Sequence, residues 1–193
     1  TGDPVTNGVF NAMLTKAGVD VKKVSVISLD QGLVPAIVAG QAAGVSGVYA
    51  NIEGVQLRDE GIKPVIFSAK DAGVGQSDEL IMIAQKSKLA SDAGYKDRVK
   101  KFLDALAKGD AKSQENPELA VTSITPVAKG YDAAQLVEMV DATIPFLKNP
   151  DGGFGVISKD RWQQFADWML GEKLLEKKVD VSNVLDMSLL PGK

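Results

Sequence analysis

The chain has 193 residues, of which 45% are hydrophobic and 24% are charged, values typical of a globular protein rather than a disordered one. Its formal net charge is −3, and it contains neither cysteine nor histidine. These features exclude thiol nucleophiles, Cys or His metal ligands, disulfides and Ser-His-Asp triads, and they argue against nucleic acid as a partner. We therefore expect a binding function rather than catalysis, with no metal and no cofactor.

The N-terminus, TGDPVTNG, has neither the basic nor the apolar region of a signal peptide. No apolar run approaches the roughly 18 residues of a membrane span. The opening residues are typical of a turn between a strand and a helix, with the strand missing. We therefore expect an N-terminal part to lie upstream, together with any signal or membrane anchor.

Helices and strands alternate over the first third of the chain. The pattern predicts, in order, a helix opened by Asp3-Pro4, the strand KVSVIS, a helix over 33–39, the strand AGVSGVY, a helix over 52–60 and the strand KPVIFSA. This order is that of a parallel sheet with crossover helices.

From Asp71 the pattern changes. The glycine-rich loop DAGVGQSD and the apolar strand ELIMIAQ are followed by several helical patterns, the last of which is capped by Ser158. On that last helix Trp162 and Trp168 recur with Phe165 at helical spacing, which favours core packing over a ligand platform. This change of pattern predicts two parts of the chain, an α/β part over 1–76 and a helix-rich part over 77–193.

Ligands of open α/β sheets bind at the carboxyl ends of the strands, where the next helices begin. At the first such turn, Gly2 allows close approach to backbone amides at the start of a helix, Asp3 adds a carboxylate, and Thr6 offers a hydroxyl. The pattern favours a capping role for Asp3, and likewise for Asp30 at the second turn. Ligand binding is the alternative interpretation at these two turns.

The third turn, GVYANIEG, places Tyr49, Asn51 and Glu53 within five residues. Asn51 could cap the next helix, and Glu53 would interact favourably with its dipole. The same side chains also complement an aminopyrimidine, because the tyrosine ring stacks on a flat heterocycle while the amide and carboxylate pair with its nitrogen groups. We expect a ligand site at this turn.

Three stretches carry a family resemblance: GDPVTNGVFNAMLTKAGVD, LVPAIVAGQAAGVSGVYANIEGVQLRDEGIKPVIF and FGVISKDRWQQFADWM. Together they resemble the ABC-transporter substrate-binding proteins for thiamine-pyrimidine precursors, which share their fold with fungal thiamine-pyrimidine synthases and with aliphatic-sulfonate and riboflavin binders. The resemblance implies a type II periplasmic-binding-protein fold, with parallel sheets flanked by helices and two lobes that close on a ligand at a hinge. Residues 1–76 would form most of the second lobe, and 77–193 the C-terminal part of an incomplete first lobe.

The resemblance also implies roles for individual residues. Tyr49, Asn51 and Glu53 would line the pyrimidine site, and Gly2, Asp3 and Thr6 would face the same cleft. The family often has Trp where this chain has Ala50, which implies a wider pocket or a different ligand, such as riboflavin.

The function implied is that of a non-enzymatic, extracytoplasmic solute-binding component of an ABC importer. Its partners would be a small heterocyclic ligand and the permease, and its incomplete lobe would favour self-association. Two alternatives share the fold, namely a sensory ligand-binding domain and a thiamine-pyrimidine synthase. The fungal synthases consume a histidine of their own chain, and this sequence contains none.

Overall fold

The computed structural model describes residues 4–29, 32–74 and 78–192. This part of the chain forms eight α-helices and two short 3-10 helices, the latter over Val21–Lys23 and Val181–Asn183. The α-helices are α1 Pro4–Lys16, α2 Leu33–Val38, α3 Glu53–Asp59, α4 Lys86–Ser91, α5 Ala93–Glu115, α6 Pro117–Ile124, α7 Ala133–Leu147 and α8 Lys159–Gly171. None of these described helices is both long enough and apolar enough to cross a membrane.

Local signals in the sequence explain where these helices begin and end. Gly61 follows α3 with a φ of 75°, a conformation that other residues adopt only with strain. The Asp132 carboxylate accepts a hydrogen bond from the Gln135 backbone N–H at 2.9 Å, as part of a capping box at the start of α7. The Ser158 hydroxyl accepts from the backbone N–H of Arg161 at 3.2 Å and caps α8. The predicted helices and the Ser158 cap are confirmed.

The predicted parallel sheets are not confirmed, because no β-strand occurs among the described residues. The segments over 63–69 and 79–85 lie outside helices, and their apolar side chains face solvent: Val65 is 78% exposed, Leu80 89% and Ile83 84%. None of the backbone hydrogen bonds of the described chain involves residues 64–67 or 80–83. An apolar run becomes a strand only when a neighbouring backbone pairs with it, and these segments do not pair with one another.

The chain divides into two compact units. The first unit contains residues 1–76 and 163–179. Its α2 and α3 pack together, and Gly8 of α1 lies so close to Leu174 that a Cβ atom there would be 2.7 Å from Leu174 Cδ1. The buried apolar side chains of this unit are Val34, Ala36, Val55, Leu57, Val74 and Ala166.

The second unit contains residues 77–162 and 180–193. Helix α5 packs against α4, α6 and α7, and α6 also packs against α7. The buried apolar side chains of this unit are Leu136, Met139, Val181, Leu189 and Leu190. The two lobes expected over 1–76 and 77–193 stay a prediction.

Candidate ligand-binding site

The turn over 49–53 is closed by hydrogen bonds between residues close in sequence. The backbone N–H of Tyr49 donates to Glu53 Oε2 at 2.8 Å. In the opposite direction, the Tyr49 carbonyl accepts from the backbone N–H groups of Ile52 at 3.1 Å and Gly54 at 3.3 Å. The structure therefore brings Tyr49 and Glu53 together and holds both at the N-terminus of α3.

The inner face of α3 gives this turn a rigid base. Val55 is 0% exposed, and Gly54 and Leu57 are also buried. By contrast, Tyr49 is 43% exposed and Glu53 is half-buried. The turn therefore lies on a buried helix face, while Tyr49 remains partly accessible to solvent.

The Glu53 carboxylate has a structural role as well as a possible ligand-binding one. Its Oε2 atom accepts the Tyr49 N–H, and its place in the first turn of α3 is favourable for a negative charge. A carboxylate can accept several hydrogen bonds, so one to Tyr49 leaves acceptor capacity for a ligand amine. Asn51 is half-buried and makes a polar contact of its own, whereas the N-cap position of α3 belongs to Ile52.

The other predicted site residues are less well placed. Gly2 and Asp3 lie outside the described residues, as does Asp30. Thr6 lies in the first turn of α1, where it is half-buried and makes a polar contact. The roles of these residues therefore stay predictions.

Within the described ranges, no group of three or more carboxylates could hold a metal ion. The turn over 49–53 offers instead an aromatic face, an amide and a carboxylate, which together suit a neutral or cationic flat heterocycle. No second carboxylate accompanies Glu53 among the neighbouring residues 45–58.

Sequence reasoning missed a polar cluster in the second unit. The Asp78 carboxylate accepts hydrogen bonds from the Trp162 indole Nε1–H at 2.7 Å and from Arg161 Nη2, whose distances to the two carboxylate oxygens are 2.9 and 3.0 Å. Trp162, expected to pack in the core, is only half-buried and uses its polar atom. The adjacent Arg and Trp of KDRW indicate a possible pair of hydrogen-bond donors. The sequence does not show which carboxylate accepts from them.

The first 120 residues match the family model described as "NMT1/THI5 like". This match covers more than half of the chain. The chain belongs to this family. Membership supports the resemblance inferred from the sequence and implies a periplasmic-binding-protein-like fold, although the described residues are helical.

Two curated relatives are similar over most of this chain. A formylaminopyrimidine-binding protein of Halalkalibacterium halodurans is 27% identical over 182 residues, covering 92% of this chain and 54% of the relative. A protein of Haemophilus influenzae named for thiamine biosynthesis is 27% identical over 172 residues, covering 89% of this chain and 52% of the relative. The chain thus spans about half the length of the curated relatives it matches.

Proposed function

We propose that this NMT1/THI5-like chain is part of a non-enzymatic solute-binding protein that captures a thiamine pyrimidine precursor and delivers it to an ABC permease. The observation that carries the proposal is the 2.8 Å hydrogen bond from the Tyr49 backbone N–H to Glu53 Oε2, which brings a carboxylate to the backbone of an exposed tyrosine. The relative named for binding formylaminopyrimidine supports the choice of ligand.

In this proposal each side chain of the turn has a separate task. The Tyr49 ring stacks on the pyrimidine, the free acceptor capacity of Glu53 receives an exocyclic amine, and the Asn51 amide pairs with a ring nitrogen. Gly2, Asp3 and Thr6 complete the site with backbone amides and polar side chains. Ala50 stands where the family often has Trp, and its smaller side chain gives the pocket room for a substituted pyrimidine.

The proposed fold is more detailed than the helices of the described residues. The full protein has two α/β lobes of the type II periplasmic-binding-protein class, and the exposed segments over 63–69 and 79–85 belong to their parallel sheets. Their large exposed apolar side chains support this assignment, because such side chains are normally covered in a folded protein. Where these segments stay uncovered, we expect self-association of the chain. The place of action is extracytoplasmic, where solute-binding components meet their permeases.

Native mass spectrometry of the full-length protein tests this function against its alternatives. We expect incubation with equimolar formylaminopyrimidine and riboflavin to give one adduct, with the mass of the intact pyrimidine. A riboflavin adduct would show that the ligand class is wrong. Conversion of the pyrimidine, or a permanent change in the protein's own mass, would show an enzyme.

A further inference from the structure

The Asp78 carboxylate binds two neighbouring side chains at the start of α8. Arg161 donates through Nη2, and Trp162 donates through Nε1 to Asp78 Oδ2 at 2.7 Å. Asp78 is 83 residues from Arg161 in sequence, so this contact joins distant parts of the second unit. Hydrogen bonds to a charged group are roughly twice as strong as neutral ones, which makes this a strong attachment point.

The position of Arg161 is itself fixed by a second carboxylate. Its Nη1 atom lies 2.5 Å from Asp151 Oδ2, which also accepts the Ser158 backbone N–H at 3.1 Å. Burial lowers the pKa of Arg161, but the hydrogen bonds and negative charges of Asp78 and Asp151 outweigh it and raise the pKa overall. The guanidinium therefore stays charged and holds both carboxylates.

These residues stand where the chain enters and leaves the second unit. The chain passes between the two units after residues 76, 162 and 179. Asp78 follows the first of these connections by two residues, and Trp162 is the last residue before the second. A single carboxylate thus joins the start of the described segment that begins at residue 78 to the first turn of α8.

We propose that Asp78, Arg161 and Trp162 form a clamp that positions the segment beginning at Asp78 against the start of α8 within the second unit. The clamp also fixes the start of the exposed segment over 79–85. The other end of that segment is held by Tyr95 Oη, which accepts the Gln85 N–H at 3.3 Å. Pinning both ends restricts the conformations open to the segment.

Paired spin labels measure the clamp directly, since the chain has no cysteine to interfere. Labels at Leu80→Cys and Lys159→Cys would lie at exposed positions within the second unit, on the two segments that Asp78 joins. In the full-length protein we expect one narrow distance distribution between the labels. Asp78→Asn should broaden it, because the amide loses the charge that Arg161 binds.

Trp162→Phe provides a milder variant that keeps an aromatic side chain, although a smaller one, and removes the indole N–H that donates to Asp78. It should broaden the same distribution less than Asp78→Asn does. The matched control is Arg98→Gln, which removes an exposed arginine whose ion pair with Asp92 spans 4.0 Å, and it should leave the distribution unchanged.

The indole N–H resonance gives a second readout that does not depend on the labels. The chain has two tryptophans, and Trp168, which stacks on Phe165 with ring centroids 5.4 Å apart, serves as the internal reference. Asp78→Asn should shift the Trp162 indole proton upfield and speed its exchange with solvent, while the Trp168 signal stays in place. An unchanged distance distribution together with an unmoved Trp162 signal, in a folded Asp78→Asn protein, would overturn the clamp.

Discussion

Replacing Gly155 with alanine is expected to lower the free energy of unfolding by about 3 kcal/mol, the combined cost of a left-handed backbone at a non-glycine residue and of overpacking. Gly155 has a φ of 70°, and a Cβ atom there would lie 2.7 Å from Leu190 Cδ2. Leu190 is buried, so its side chain has little room to move away. Denaturant unfolding of the two proteins measures the difference.

Gly153 provides the control in the same loop. Its φ is not in the left-handed region, and a Cβ atom there would meet nothing within 4 Å. We expect Gly153→Ala to change the free energy of unfolding by less than about 1 kcal/mol, in line with the usual effect of such a change at a compatible site. Equal losses of unfolding free energy in Gly155→Ala and Gly153→Ala would show that Gly155 does not pack against Leu190.

Replacing Glu53 with alanine is expected to weaken binding of the pyrimidine by about 10- to 100-fold, the usual range for losing a hydrogen bond to a charged group. Two effects combine in this variant. The ligand amine loses its acceptor, and the Tyr49 N–H loses the carboxylate that it contacts at 2.8 Å. Isothermal titration of the full-length variant and wild-type proteins measures the ratio of dissociation constants.

Glu60 supplies a matched control for that variant. It is an exposed glutamate at the C-terminal end of the same helix, so Glu60→Ala removes the same charge without touching the turn. The Glu60→Ala variant should bind the pyrimidine with the affinity of the wild type. The Tyr49→Phe variant should also bind the pyrimidine with wild-type affinity, because the stacking face is kept and only the hydroxyl is lost. If Glu53→Ala binds as tightly as Glu60→Ala, the assignment of Glu53 to the site is wrong.

The helices could be predicted from the sequence because their signals are local. Gly61 ends α3 and Ser158 caps α8 through contacts within a few residues, which a sequence pattern records directly. The strands depended on a different kind of information. Apolar runs such as KPVIFSA indicate a preference for pairing, but pairing itself requires a second backbone elsewhere in the chain. No such pairing is present among the described residues.

The difference between local and long-range information also applies to the two polar contacts, one in the turn over 49–53 and one at Asp78. Tyr49 and Glu53 are four residues apart, so their proximity at a helix start could be anticipated, although the hydrogen bond between them could not. Asp78 and Trp162 are 84 residues apart, and nothing in either local pattern links them. Helical spacing indicated the face on which Trp162 lies but not the partner of its indole nitrogen.

Isothermal titration of the full-length protein with formylaminopyrimidine tests the central proposal most directly. We predict saturable binding of one ligand per protein with a dissociation constant of about 1 μM or tighter, corresponding to roughly −8 kcal/mol. Riboflavin, titrated under the same conditions, should bind at least about tenfold more weakly, a difference of roughly 1.4 kcal/mol. No binding heat with the pyrimidine at millimolar concentration, from a protein shown to be folded, would contradict the proposed function.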